Sequence, residues 1–208
     1  EFDIIDEFLD ATSRWANKIF ILDNGSTDGT WERIIERKNY IVTPWKQLHT
    51  PFSRKMRGQI ITNFIEYAQH GDWWCIADVD EFYLIDPRLY LYYVPRPFKK
   101  KKKKSIDYVI TKEDKDYNQF YHKFSNNIYL QRKIKKFYWT EPRFFRATKG
   151  FDWPVTSTVP HPTGLTFPFL IPCAHYQLRS PHQVKRRFED RMAAKKKSNE
   201  IHFRHIEG

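Results

Sequence analysis

Apolar residues recur in this chain at two spacings, and their alternation predicts an α/β fold. Ile4, Ile5, Phe8 and Leu9 fall at helical intervals within residues 3–15, the pattern of an amphipathic helix. Lys18-Ile19-Phe20-Ile21-Leu22 then reads as a buried strand that closes on Asp23. Asp23-Asn24-Gly25-Ser26-Thr27-Asp28-Gly29-Thr30 is the densest turn signal: its glycines admit positive φ, and Ser26, Thr27 and Asp28 suit helix capping. A short helix is expected over Trp31 to Glu36 and a short strand over Tyr40 to Val42. Ser53 is placed to cap a long helix reaching His70, with Met56, Ile60, Ile61, Phe64, Ile65 and Ala68 along one face. Trp73-Trp74-Cys75-Ile76-Ala77 is the third apolar run. Helix and strand alternate throughout, which implies a mainly parallel sheet covered by helices.

Beyond Phe82 the pattern loosens. Tyr90 to Val94 is apolar and aromatic, and Pro95-Arg96-Pro97 leads into six consecutive lysines, Lys99 to Lys104. Like charges in a row repel, so this stretch is expected as a solvated loop, either plain or a contact for a phosphate-bearing acceptor. Ile106 to Ile110 suggests a strand, and the polar stretch from Asp114 to Asn127 fits no one element. Ile128 to Arg146 mixes aromatics with cations. Phe169 to Ala174 predicts a strand ending at His175, and Ser180 is placed to cap a helix that ends near Ala194.

The length of 208 residues fits one α/β domain, and 40% hydrophobic residues exclude a disordered chain. A net charge of +11, from 36 Lys and Arg against 25 Asp and Glu, favours anionic partners. Two cysteines, Cys75 and Cys173, are too few for a disulfide framework or a thiolate zinc site. They read as buried thiols, which suits a reducing, cytoplasmic setting. No stretch has the length of a membrane span.

The third apolar run ends in Asp78, Asp80 and Glu81. Charges are rarely buried without partners, so these carboxylates belong at a strand's C-terminal end, where open α/β sheets place their ligand crevice. In an extended segment Asp78 and Asp80 share one side. Two carboxylates there form an oxygen-rich site suited to Mg²⁺ or Mn²⁺. An isolated Asp-x-Asp is more often an acidic turn. The polar loop from Asp23 to Thr30 equally suits a nucleotide or a plain connection.

Taken together, Asp23 to Thr30 and Asp78-Val79-Asp80-Glu81-Phe82 resemble glycosyltransferase family 2 and its relatives of the GT-A fold, in the branch whose metal motif reads Asp-x-Asp-Glu-Phe. His175-Tyr176-Gln177-Leu178-Arg179-Ser180-Pro181-His182-Gln183 resembles that family's His-Tyr-x-x-Arg-Ser-Pro-x-Gln segment. The resemblance implies a single Rossmann-like GT-A domain over 1–208. Residues 1–94 would bind the nucleotide-sugar, and residues 95–208 would form the acceptor side and a C-terminal helix. The family begins with one more strand, so its usual first strand is expected to be lacking. Relatives carry an Arg-apolar-Phe-Arg strand matched by Arg143-Phe144-Phe145-Arg146, then a Trp and a His-Glu pair. Here Asp152-Trp153 and His161 follow, without the Glu.

The implied activity is a metal-dependent, inverting transfer of a sugar from a nucleotide-diphospho-sugar, a UDP-sugar first, to an acceptor hydroxyl. Asp78, Asp80 and His175 would hold Mn²⁺ or Mg²⁺. Asp23, Ser26, Asp28, Arg57, Asp78, Arg143 and Arg146 would contact the nucleotide-sugar, and Asp152, Glu141 and Glu81 are the candidate bases. If one metal joins the strand ends, Cys75 and Cys173 should be near neighbours. The acceptor is a glycan, a lipid or, given the basic charge and the aromatic-cationic stretch, a hydroxymethylated pyrimidine in DNA. A non-catalytic nucleotide- or nucleic-acid-binding module is the reading from another class.

Overall fold

The computed structural model describes residues 1–50, 52–53, 55–108, 138–148, 164–179, 183–189 and 192. The first helix, α1 (Ile5–Ser13), turns Ile5, Phe8 and Leu9 inward, as their spacing requires. Strand β1 (Ile19–Asp23) follows, and helix α2 (Thr30–Glu36) starts after Gly29, whose φ of 89° is a left-handed value that suits glycine. Strand β2 (Val42–Gln47) pairs in parallel with β1, from Ile19 against Val42 to Asp23 against Gln47. Helix α3 (Lys55–Asn63) leads through a single 3₁₀ turn, Ile65–Tyr67, to strand β3 (Trp73–Cys75).

Strand β4 (Glu81–Tyr83) and helix α4 (Pro87–Tyr92) come next, α4 being capped by the Asp86 carboxylate, which accepts from the Arg88 amide. The long strands β5 (Phe98–Asp107), β6 (Tyr138–Arg146) and β7 (Leu165–His175) complete a five-stranded sheet of order β3-β6-β5-β7-β4. This sheet curls until its edges approach: Cys75 Sγ on β3 lies 3.7 Å from the Tyr83 hydroxyl on β4. Residues 183–189 are helical.

The main core joins the two sheets. Ile4, Ile5, Phe8, Leu9, Ile19, Ile34 and Val42 pack with Phe82, Ala174 and Tyr176, and Phe82 meets Phe8 and Tyr176 edge to face. Complete burial of one such ring contributes about 2–3 kcal/mol, so α1 is held firmly over the ends of β4 and β7.

The chain is therefore mixed α/β, as its pattern predicts, but four expectations need correction. The sheet is not mainly parallel: β3–β6, β5–β6 and β4–β7 are antiparallel, and only β1–β2 and β5–β7 are parallel. Helix–strand alternation holds up to β3; beyond it the sheet order β3-β6-β5-β7-β4 pairs mostly strands that are not consecutive in the chain. The run Lys99 to Lys104 is no loop but the body of β5, with alternate lysines facing opposite ways. The helix after Ser53 stops at Asn63 instead of reaching His70, and the strand expected at Tyr40 to Val42 begins only at Val42.

Candidate metal centre

The C-terminal ends of β5 and β7 and the start of β4 lie side by side. His175, the last residue of β7, stands in register with Glu81 of β4 on one flank and with Asp107 of β5 on the other. Asp80 immediately precedes β4. Its backbone carbonyl accepts from the Tyr176 amide at 2.8 Å, which fixes the turn against the end of β7. The ladders alone thus gather three carboxylates around one imidazole.

The two imidazole nitrogens are occupied differently. Nδ1 lies 2.7 Å from Asp107 Oδ1, and Nε2 lies 3.6 Å from Asp80 Oδ2. A carboxylate bound to one ring nitrogen fixes the ring and leaves the other nitrogen to present a lone pair, the usual support of a metal-binding histidine. Asp80, Glu81 and His175 each offer a ligand atom within 4.8 Å of the others, and all three are buried.

Charge compensates this burial. Burial alone would raise the Asp80 carboxyl, but the hydrogen bond and charge of His175, with Arg187 and Arg179, hold it well below the usual carboxylate range. Arg187 donates to Asp80 Oδ2 at 3.2 Å. Burial likewise disfavours a proton on His175, yet Asp107 and Asp80 push its pKa up to about 9.

Beside this set lies an arginine-carboxylate cluster. Arg143, buried at the bulge of β6, donates to Asp78 at 2.5 Å and to Glu81 Oε1 at 2.7 Å, and its Nη2 lies 3.2 Å from Glu141. Arg57 of α3 grips both Asp78 oxygens at 2.9 and 3.0 Å. Lys103 also donates to Glu81 Oε1, while Glu81 Oε2 is buried with no hydrogen-bond partner. Burial raises the Glu81 carboxyl above the usual carboxylate range, although Arg143 opposes this.

Two carboxylates, one with an orphaned oxygen, and an oriented imidazole fit a divalent cation that accepts mixed oxygen and nitrogen donors. That chemistry suits Mn²⁺ better than Mg²⁺, which prefers an all-oxygen shell. The cluster shares Asp80 and His175 with the expected ligand set and has Glu81 where Asp78 was expected. Strand β3 ends at Cys75 and the chain turns at Val79-Asp80, where the Glu81 amide donates to the Asp78 carbonyl, so the alternation that would align Asp78 with Asp80 does not apply. Asp78 faces the arginines, and Glu81 stands in its place.

The remaining predicted residues divide. Arg57, Arg143 and Glu141 gather at Asp78. Arg146 points elsewhere, donating to the Val94 carbonyl at 2.6 Å and lying over the Trp73 ring. Asp23 spends its carboxylate within its own loop and on β2, accepting from Gly25, Ser26 and Gln47. Ser26 bonds Asp23, and Asp28 bonds the Thr30 amide and hydroxyl at the start of α2. Glu81 is buried between Lys103 and Arg143, a poor position from which to reach an acceptor. Asp152, together with Trp153, His161 and Ser180, lies outside the described residues. Cys75 lies beside Tyr83, the register partner of Cys173, so both thiols flank one ring, and burial pushes the Cys75 thiol up to about 12.

Asp107, Lys103 and Arg187 belong to the site but not to the motifs. A carboxylate inside the apolar segment Ile106-Asp107-Tyr108-Val109 was the available signal for the first. No family model and no curated protein matches the chain.

Proposed function

We propose that the protein is a metal-dependent glycosyltransferase of GT-A type that moves a sugar from a nucleotide-diphospho-sugar to an acceptor hydroxyl. The observation that carries this reading is the imidazole of His175, bound at Nδ1 by Asp107 and directed through Nε2 at Asp80. It joins the Asp78–Phe82 and His175–Gln183 motifs of the family resemblance at one point.

Asp80, Glu81 and His175 would hold Mn²⁺, which when bound acts as a Lewis acid on the leaving diphosphate. Arg57 and Arg143 supply fixed positive charge beside that position, and such charge is worth most where water is excluded. Exchanging Asp78 or Glu141 for phosphate oxygens would keep these guanidiniums paired. Glu141, half-buried beside them, and Asp152 are the proposed bases for the acceptor hydroxyl. Inversion at the anomeric carbon follows from the resemblance.

The test is a screen of sugar nucleotides, UDP-sugars first, with and without Mn²⁺, reading release of free nucleotide. Turnover of one donor that requires the metal and falls at least a hundredfold in Asp80→Ala is the expected result. Silence from folded protein across all donors, or turnover indifferent to Asp80→Ala, would overturn the reading and favour a binding module.

A further inference from the structure

The opposite end of the five-stranded sheet carries a second surface. Strands β5 and β7 run in parallel, so the residues that begin them lie together, roughly 30 Å along the strands from His175. Helix α4 covers this end: Lys101 Nζ donates to the Tyr90 carbonyl at 3.1 Å and sits over the rings of Tyr90 and Phe167. Phe167 in turn meets Phe98 at 5.0 Å and Phe169 at 5.4 Å between centroids. An unbroken series of contacts therefore links α4 to the first residues of β5 and β7.

This surface is apolar and open. Leu89 is 61% exposed, Tyr92 83%, Tyr93 76%, Leu165 60% and Phe169 67%, far more than isolated apolar residues require. In the described segments that form it, the charge left outside ion pairs is positive. Within residues 84–100 and 164–170 the sole carboxylate is Asp86, which Arg88 binds through several hydrogen bonds, while Arg96 and Lys99 have no acidic neighbour in those segments. A second copy of the chain would bring like charges together, which opposes self-association. Exposed aromatic and leucine side chains set among unmatched cations are instead the composition that seats in a lipid headgroup region, the rings at the interface and the cations on acidic lipids.

We propose that this end of the sheet docks on an anionic lipid bilayer. Apolar insertion and basic attraction then act together, the pairing that makes peripheral binding stable. The candidate metal centre, at the far end of β5 and β7, faces away from the bilayer.

The test is co-sedimentation with vesicles of phosphatidylcholine and phosphatidylserine, against vesicles of phosphatidylcholine alone. The expected result is binding to the mixed vesicles that weakens as salt is added, with little binding to neutral ones. Each neighbouring cation contributes about fivefold, so Arg96→Glu and Lys99→Glu together should weaken binding at least tenfold. Tyr92→Ser, Tyr93→Ser and Phe169→Ser together should weaken it as much with the charges intact, and circular dichroism checks the fold of both variants. Equal binding to neutral and mixed vesicles, no binding by folded protein, or variants that bind as the parent does would overturn the proposal. A dimer in sedimentation velocity that the aromatic variant dissolves would also overturn it, giving the surface to a second copy. None of these readouts depends on donor chemistry.

Discussion

Asp107 and Asp80 do opposite things for His175 when metal is absent and when it is present. Without metal they hold a proton on the ring up to pH about 9, against an ordinary value of 6.5. A raised folded-state pKa stabilises fully below the unfolded value, and that contribution is lost as pH rises from 6.5 through 9. Asp80 is shifted the other way, so its contribution is present above 3.8 and lost as pH falls. Metal-free protein should therefore melt at its highest temperature between pH 4 and 6.5 in a thermal series, with Asp107→Asn flattening the alkaline arm. A metal must displace this proton. Mn²⁺ affinity measured by titration calorimetry should rise up to about tenfold per pH unit between pH 7 and 9; a flat profile would remove His175 from the ligand set. Neither Asp107 nor its effect was legible in the motifs, because the pairing is made by strand register across 68 residues. Asp80 and His175 were legible, since their segments carry the resemblance themselves.

Strand β5 shows how charge composition misleads when alternation is ignored. Six lysines look unpackable, yet a strand sends every second one outward, and only Lys101 and Lys103 must be accommodated inside. Their accommodation differs. Lys103 meets the Glu81 carboxylate and lies over the Trp139 ring, whereas Lys101 has a carbonyl and two aromatic faces. Removing one member of a buried ion pair typically costs about 3 kcal/mol, and Lys103→Met should lose about that much in urea unfolding. Lys101→Met removes a desolvated cation that has no carboxylate, so its cost should stay within about 1 kcal/mol. Lys102→Glu, on the other face, should be close to neutral. If all three cost the same, the inward-outward assignment of β5 is wrong. Helix α1 and strand β1 followed from periodicity because their apolar positions are buried in one core. The antiparallel ladders did not, because β5, β6 and β7 are joined by chain whose spacing says nothing about pairing.

At the scale of the molecule, the site is divided between segments far apart in sequence. Arg143 reaches Asp78 across 65 residues and Glu81 across 62, and His175 reaches Asp107 across 68. Arg179 adds a wider span: it is buried and binds the Asp3 carboxylate at 2.7 and 3.0 Å, across 176 residues. The Asp78–Phe82 and His175–Gln183 segments thus become neighbours through the five-stranded sheet and not through any local unit.

The curl of that sheet also has a kinetic meaning. Bringing β3 and β4 edge to edge closes several long loops at once, and the entropy of closing them is lost before the contacts repay it. Helices α1 to α4 and the β1–β2 pair lie within the first 92 residues and need shorter closures than the sheet, so helical structure precedes the last ladder on a refolding path. The cluster of His175, Asp80 and Glu81 exists only when the last ladder has joined. After dilution from denaturant, far-ultraviolet circular dichroism should recover first and Mn²⁺ binding only in a later phase. Affinity for the ion would then time the closing of the sheet.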